Sequence, residues 1–217
     1  MLKKLLACLI FFPACSNHSS DTSITKSTTG RFIVAQPPFT CNYDAQKIRC
    51  RDIFKEYLKH RSDNSEKKLV NYITDSLLSC WYGTPWDFNG TTELPGDGNI
   101  ACGYFVTTVL RDAGYSIDRI KMAQCASEQL VKSTCTSITR YRNKTLEDFV
   151  NAVKQQDYGL YIVGLDNHTG FILNDDHDVY FIHSGVYAPK CALKERAIES
   201  PTLRNSTYRV LGRIVFK

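Results

Sequence analysis

From residue 160 onward the hydrophobic pattern changes its period, and that change limits the folds open to the chain. Leu160 to Leu165, His168 to Leu173, Val179 to Ile182 and Tyr208 to Phe216 are short runs rich in β-branched and aromatic residues. Each predicts a strand, and Asn174 to Asp178 predicts the hairpin turn between the second and third. Upstream the spacing is helical. Asp52 to Leu58 predicts a short helix, and a second starts near Asn64, with Leu69, Ile73, Leu77 and Leu78 on one face through Cys80. Cys102 to Ala113 predicts a third helix, stopped by Gly114, and Glu128 to Val131 a further turn or two. Thr145 caps a helix whose Leu146, Phe149, Val150 and Val153 share a face. Helices first, then a meander of strands, predict an α+β fold with helices packed on one antiparallel sheet. Between Trp81 and Ala101, four glycines and two prolines predict a loop.

The N-terminus reads as a targeting segment. Lys3 and Lys4 precede an apolar stretch from Leu5 to Phe12 that is too short to span a bilayer. It ends in Phe12-Pro13-Ala14-Cys15, which resembles a bacterial lipobox and implies cleavage before Cys15 with lipidation of that thiol. A plain cleaved signal is the alternative. The expected organisation is a signal peptide over residues 1–14, a polar Ser/Thr-rich tether over 15–38, and one domain over 39–217. The formal charge of +5, less Lys3 and Lys4, leaves +3 after processing. Without a clustered basic patch, that is no footprint for nucleic acid.

Nine cysteines are many for this length. With Cys8 in the signal, Cys15 as lipid anchor and Cys102 set apart, six are left: Cys41, Cys50, Cys80, Cys125, Cys135 and Cys191. In an exported protein six can form three bridges, with 15 connectivities open. Nearness in sequence favours Cys41–Cys50 and Cys125–Cys135. A metal site is the alternative reading, but no CxxC or HxxxH spacing supports one, and no cofactor is expected.

Cys102 opens its helix, where unpaired N–H groups and the helix dipole favour thiolate. Downstream, His168 leads one strand run and His183 ends another. A nucleophilic thiol followed by a histidine base, with a second histidine to orient it, is one reading of this order. The other is a buried structural cysteine with incidental histidines. His177 falls in the hairpin turn, His60 after the first helix and His18 in the tether, so none of these competes.

Gly83-Thr84-Pro85, then Trp86 and Phe88-Asn89-Gly90-Thr91-Thr92, then Cys102-Gly103-Tyr104-Phe105-Val106, together resemble the NlpC-type cell-wall endopeptidases. Their members carry a GTPY-x-x-GG loop ahead of a DC-S-GFV helix start. His168-Thr169-Gly170-Phe171 resembles that family's H-V-G strand. Ala101 stands where the family has an acid, and Trp86 where tyrosine is usual, with Tyr82 nearby. The resemblance spans residues 80 to 185 and implies a papain-like fold. It also implies a cysteine peptidase or amidase acting through a thioester, with Cys102, His168 and His183 as the catalytic set. The oxyanion would be held by the backbone N–H of Cys102. Trp81, Tyr82, Trp86 and Phe88 wall the cleft in one reading and are core aromatics under the loop in the other. The implied substrate is a peptidoglycan stem peptide, met by a monomer anchored through its lipid at the bacterial envelope, on the periplasmic side of the outer membrane. Two alternatives stay open: an amidase or transacylase on another amide or ester, and an envelope-binding lipoprotein whose site has decayed.

Overall fold

A computed structural model describes residues 32–37 and 40–217. Cys8, Cys15 and the signal run lie outside the described residues, as does most of the expected tether. Among the described residues the helices are α1 (Tyr43–Lys59), α2 (Asp63–Tyr72), α3 (Cys102–Ala113), α4 (Arg119–Ala123), α5 (Ser127–Thr134), α6 (Leu146–Lys154) and α7 (Pro201–Arg204). The strands are β1 (Ile33–Val34), β2 (Cys135–Arg142), β3 (Gly159–Leu165), β4 (Thr169–Asn174), β5 (Val179–Ser184), β6 (Ala192–Arg196) and β7 (Tyr208–Ile214). They form one sheet in the order β1-β6-β5-β4-β3-β7-β2, with every pairing antiparallel. The fold is α+β.

The strand runs are apolar at nearly every position because both faces of the sheet are covered. Leu160 and Ile162 of β3 join the larger core, with Leu69, Phe105, Val109 and Phe171. Their neighbours Tyr161, Val163 and Leu165 point the other way, against Leu146, Phe149, Val150 and Val153 of α6 and Leu203 of α7. Period-2 side-chain geometry divides one continuous apolar run between two cores.

Local signals fix most helix ends. Thr145 accepts a hydrogen bond from the Asp148 backbone and starts α6, and Gly114, at φ 118°, ends α3 in the left-handed conformation that glycine tolerates best. α1 begins well before the sequence predicts, at Tyr43, and the Asn42 side chain ahead of it accepts from Ala45 N–H. The second helical pattern does run toward Cys80, but it passes through a π turn at Ile73–Leu77 and a 3₁₀ turn at Ser79–Trp81.

Three expectations are corrected. The stretch read as tether through residue 38 contains β1. Ile33 is buried and pairs with Glu195, and Phe32 N–H donates to Glu199. The strands β2 and β6 went unpredicted, β2 because it is an edge strand with polar, largely exposed positions and a bulge between Thr136 and Thr139. The cysteine pairing also differs: Cys41 bonds Cys80, while Cys50, Cys102, Cys125, Cys135 and Cys191 are free thiols. Helix geometry explains it. Most of Cys41 to Cys50 is helix α1, and α5 lies between Cys125 and Cys135. At 1.5 Å rise per residue each intervening helix separates its pair by about 12 Å, beyond disulfide reach. Closing a loop of 39 residues, the Cys41–Cys80 bond stabilises the fold by roughly 4 kcal/mol in the chain-entropy picture.

Candidate active site

The irregular segment before α3 is held in place by backbone bonds. Ile100 N–H donates to Pro85 O at 2.9 Å and Ala101 N–H to Gly90 O at 2.9 Å. Ser184 of β5 donates to Ile100 O at 2.7 Å, which ties the loop to the sheet. The buried Arg119 guanidinium donates to the Thr91 and Thr92 carbonyls and, through Nε, to Thr108 on α3. Cys102 is therefore delivered at a fixed point although the segment before it has almost no regular structure.

At that point α3 starts without a side-chain cap, so its first N–H groups have no side-chain acceptor at the cap. The half-buried Cys102 sulfur sits among backbone N–H groups of Thr169, Gly103 and its own residue. Burial pushes the thiol above its ordinary pKa, and these three donors only partly offset that. The thiolate bias expected from the helix start is outweighed by desolvation. Gly103 is required here by close approach, since a Cβ would stand 2.4 Å from the Ala123 carbonyl oxygen where α4 crosses α3.

A tight turn at Asp166 and Asn167 joins β3 to β4, closed by Leu165 N–H donating to His168 O at 2.8 Å. His168 is thereby set just ahead of β4, two residues from Gly170, which lies against His183 of the neighbouring strand. Side chains two apart share a face, so the two imidazoles meet diagonally across the gap at Gly170. His168 Nε2 lies 2.8 Å from His183 Nδ1, with the rings nearly perpendicular at 88°. His183 is 2% exposed, with the Phe181 ring stacked on it at 3.9 Å. Its other nitrogen, Nε2, lies 3.2 Å from Oε1 of Glu195 on β6, itself 1% exposed. Burial, and then the neighbouring His183, hold His168 well below the ordinary imidazole range, so it is neutral at neutral pH.

Cys102 and His168 line one cleft of about 850 Å³. Trp86, Phe88, Tyr187, Thr202 and Asn205 also line it. Phe88 is 79% exposed at the rim. Tyr82 is a correction: it is buried and belongs to the core beside Trp81, not to the cleft. Trp81 is anchored inside by its indole N–H, which donates to the Tyr43 hydroxyl at 2.8 Å, and Tyr43 in turn donates to Asp112. A bulky residue ending a buried helical segment continues into the core. His177 is exposed in its turn and His60 ends α1, both outside the cleft lining.

Sequence reasoning missed Glu195. It stands between Lys194 and Arg196, so the local pattern is a charged run of the kind that usually faces solvent. Among the described residues, no group of three or more His, Cys, Asp or Glu side chains is arranged to hold a metal ion. No known protein family, curated protein or solved structure matches the chain.

Proposed function

We propose that this protein is a cysteine hydrolase of papain-like, NlpC-type architecture that cleaves an amide bond in peptidoglycan stem peptides. The observation carrying this reading is the 2.8 Å contact between His168 and His183 at the wall of the cleft that holds Cys102. A cysteine opening a helix, followed in the chain by a paired histidine heading a strand, is the constellation a thiol acyl-transfer enzyme needs. The stem-peptide substrate rests on the motif resemblance alone.

In the resting site thiol and imidazole are both neutral, so the proton moves as attack occurs. The Cys102 sulfur bonds to the substrate carbonyl carbon while its proton passes to His168. The carbonyl oxygen gains charge beside the N–H donors at the start of α3. The tetrahedral intermediate collapses by breaking the C–N bond, and His168 gives its proton to the departing amine. Water then attacks the thioester with His168 as base, releasing the acid and restoring the thiol. A positioned base of this kind contributes about 10²–10⁴-fold in rate. Cys15 supplies the lipid anchor in this reading, which keeps the domain at the periplasmic face of the outer membrane.

The charge of the cleft favours a second reading. Among the described residues its lining contains no lysine or arginine, and its one charged carboxylate, Asp166, accepts bonds from Ser206 and Thr207. An uncharged amide or ester would suit such a lining better than a substrate rich in carboxylates. Digestion of purified sacculi, with released fragments identified by mass, separates the two. The wild type releases cleaved stem peptides, and Cys102→Ala and His168→Ala release none. Intact sacculi alongside Cys102-dependent cleavage of a neutral activated ester select the second reading, and no Cys102-dependent cleavage of either substrate refutes both.

A further inference from the structure

We propose that Glu195 is a positioning residue: through His183 it sets the proton arrangement of both imidazoles so that His168 presents a bare Nδ1 to the Cys102 thiol. The inference rests on the hydrolase reading for its consequence in catalysis, but its structural content stands apart from any substrate.

The hydrogens can be placed one after another along three strands. In register His183 faces Leu193 and Phe181 faces Glu195, so the carboxylate approaches His183 diagonally from β6, as His168 does from the start of β4. An ionised carboxylate can only accept. With Glu195 ionised, His183 Nε2, 3.2 Å from Glu195 Oε1, carries the hydrogen of that contact. With His183 neutral, its single N–H is then used, which leaves His183 Nδ1 as an acceptor. The 2.8 Å contact with His168 Nε2 is a hydrogen bond only if His168 Nε2 is the donor. His168 Nδ1 is left with a free lone pair, the state a general base requires. Burial of His183 and Glu195, at 2% and 1% exposed, keeps water from competing for these positions.

Without a carboxylate the two imidazoles have no reason to choose this arrangement. The mirror one, with His183 Nδ1–H donating to His168 Nε2, satisfies the same contact equally well. It places the hydrogen of His168 on Nδ1, which then cannot take the thiol proton. Glu195 breaks that symmetry. It also faces the positive charge that appears on His168 during attack, through the intervening ring. In a serine-protease triad, exchanging the carboxylate next to the base for an amide costs about 10⁴-fold. One imidazole further away, the expected loss is smaller, about 10–100-fold.

The test is long-range ¹H–¹⁵N correlation of the full chain labelled at histidine, at neutral pH, on wild type and Glu195→Gln. In wild type both His168 and His183 should show the Nε2–H form. In Glu195→Gln the forms should mix, because a glutamine amide can turn either its carbonyl or its NH₂ toward His183. Hydrolysis should fall about 10–100-fold, in kcat rather than KM. A wild-type His168 in the Nδ1–H form overturns the proposal even if the variant does not fold. So does a variant with unchanged tautomers, or with changed tautomers and full activity. Loss of the hydrolase reading would leave the tautomer result standing, so the two failures are distinguishable.

Discussion

Gly170 lies against His183 so closely that a Cβ on Gly170 would stand 2.8 Å from the Cβ of His183 and 2.6 Å from the Phe181 ring. The missing side chain is what lets His168 reach diagonally across the strand pair. The residue between the two histidines on the shared face therefore does as much for the site's geometry as either ring.

Gly170→Ala should accordingly damage both stability and activity. Neither the strand backbone nor the stacked Phe181 can retreat far, so the cost is that of overpacking, about 1–3 kcal/mol. For a domain of this size each kcal/mol lowers Tm by about 2–4 °C. Calorimetry and turnover measured together check it. Unchanged melting with unchanged turnover would show that the site tolerates a spacer between its histidines.

Acid should weaken the fold through His168. Its folded-state proton affinity is depressed by burial and by His183, whereas in the unfolded chain it titrates at about 6.5. Below that pH the unfolded state binds the proton that the folded state refuses, so stability falls as pH falls. The contribution is fully present above about 6.5 and is lost on descending toward the folded value. Urea unfolding between about pH 7.5 and 5 should show this slope, and His168→Gln should flatten it. Equal slopes in the two proteins would contradict the neutral state of His168.

Much of the fold and part of the site are legible in the residues themselves. Cys102, Gly114 and Thr145 mark their helix ends in the sequence and in space, because caps and stops are local chemistry. The runs at β3, β4, β5 and β7 declare themselves by composition, since strands covered on both faces must be apolar throughout. What escapes depends on distant neighbours. Glu195 lies in a charged run, yet on β6, between β1 and β5, it is 1% exposed. Cys41 finds Cys80 across 39 residues, which neither loop length nor spacing encodes. Tyr82 and Phe88 sit in one aromatic-rich loop, yet one faces the core and the other solvent.

That division predicts opposite phenotypes. Phe88→Ala removes an exposed ring from the cleft lining, so KM for the proposed amide or ester substrate should rise while stability stays within about 0.5 kcal/mol of wild type. Tyr82→Ala empties a core site and should cost about 3–5 kcal/mol, in line with other large aromatic truncations. Thermal melts beside steady-state kinetics separate the two. Wild-type stability in Tyr82→Ala would return that residue to the cleft.

The thiol should behave as a neutral group until the substrate arrives. An ion pair between Cys102 and His168 would hold the sulfur ionised far below neutral pH, and alkylation would level off early. Burial instead places the thiol above its ordinary value, opposed only in part by the Thr169, Gly103 and Cys102 N–H groups, and His168 is neutral. The rate of Cys102 alkylation by iodoacetamide should therefore keep rising through about pH 9, tracking the small thiolate fraction. Peptide mapping of the alkylated, unreduced protein should recover Cys102 modified and Cys41 linked to Cys80. A rate already flat at neutral pH would mean that a resting ion pair exists and that the proton leaves before the substrate arrives. Cys102 recovered in a disulfide from active protein would remove it as the nucleophile altogether.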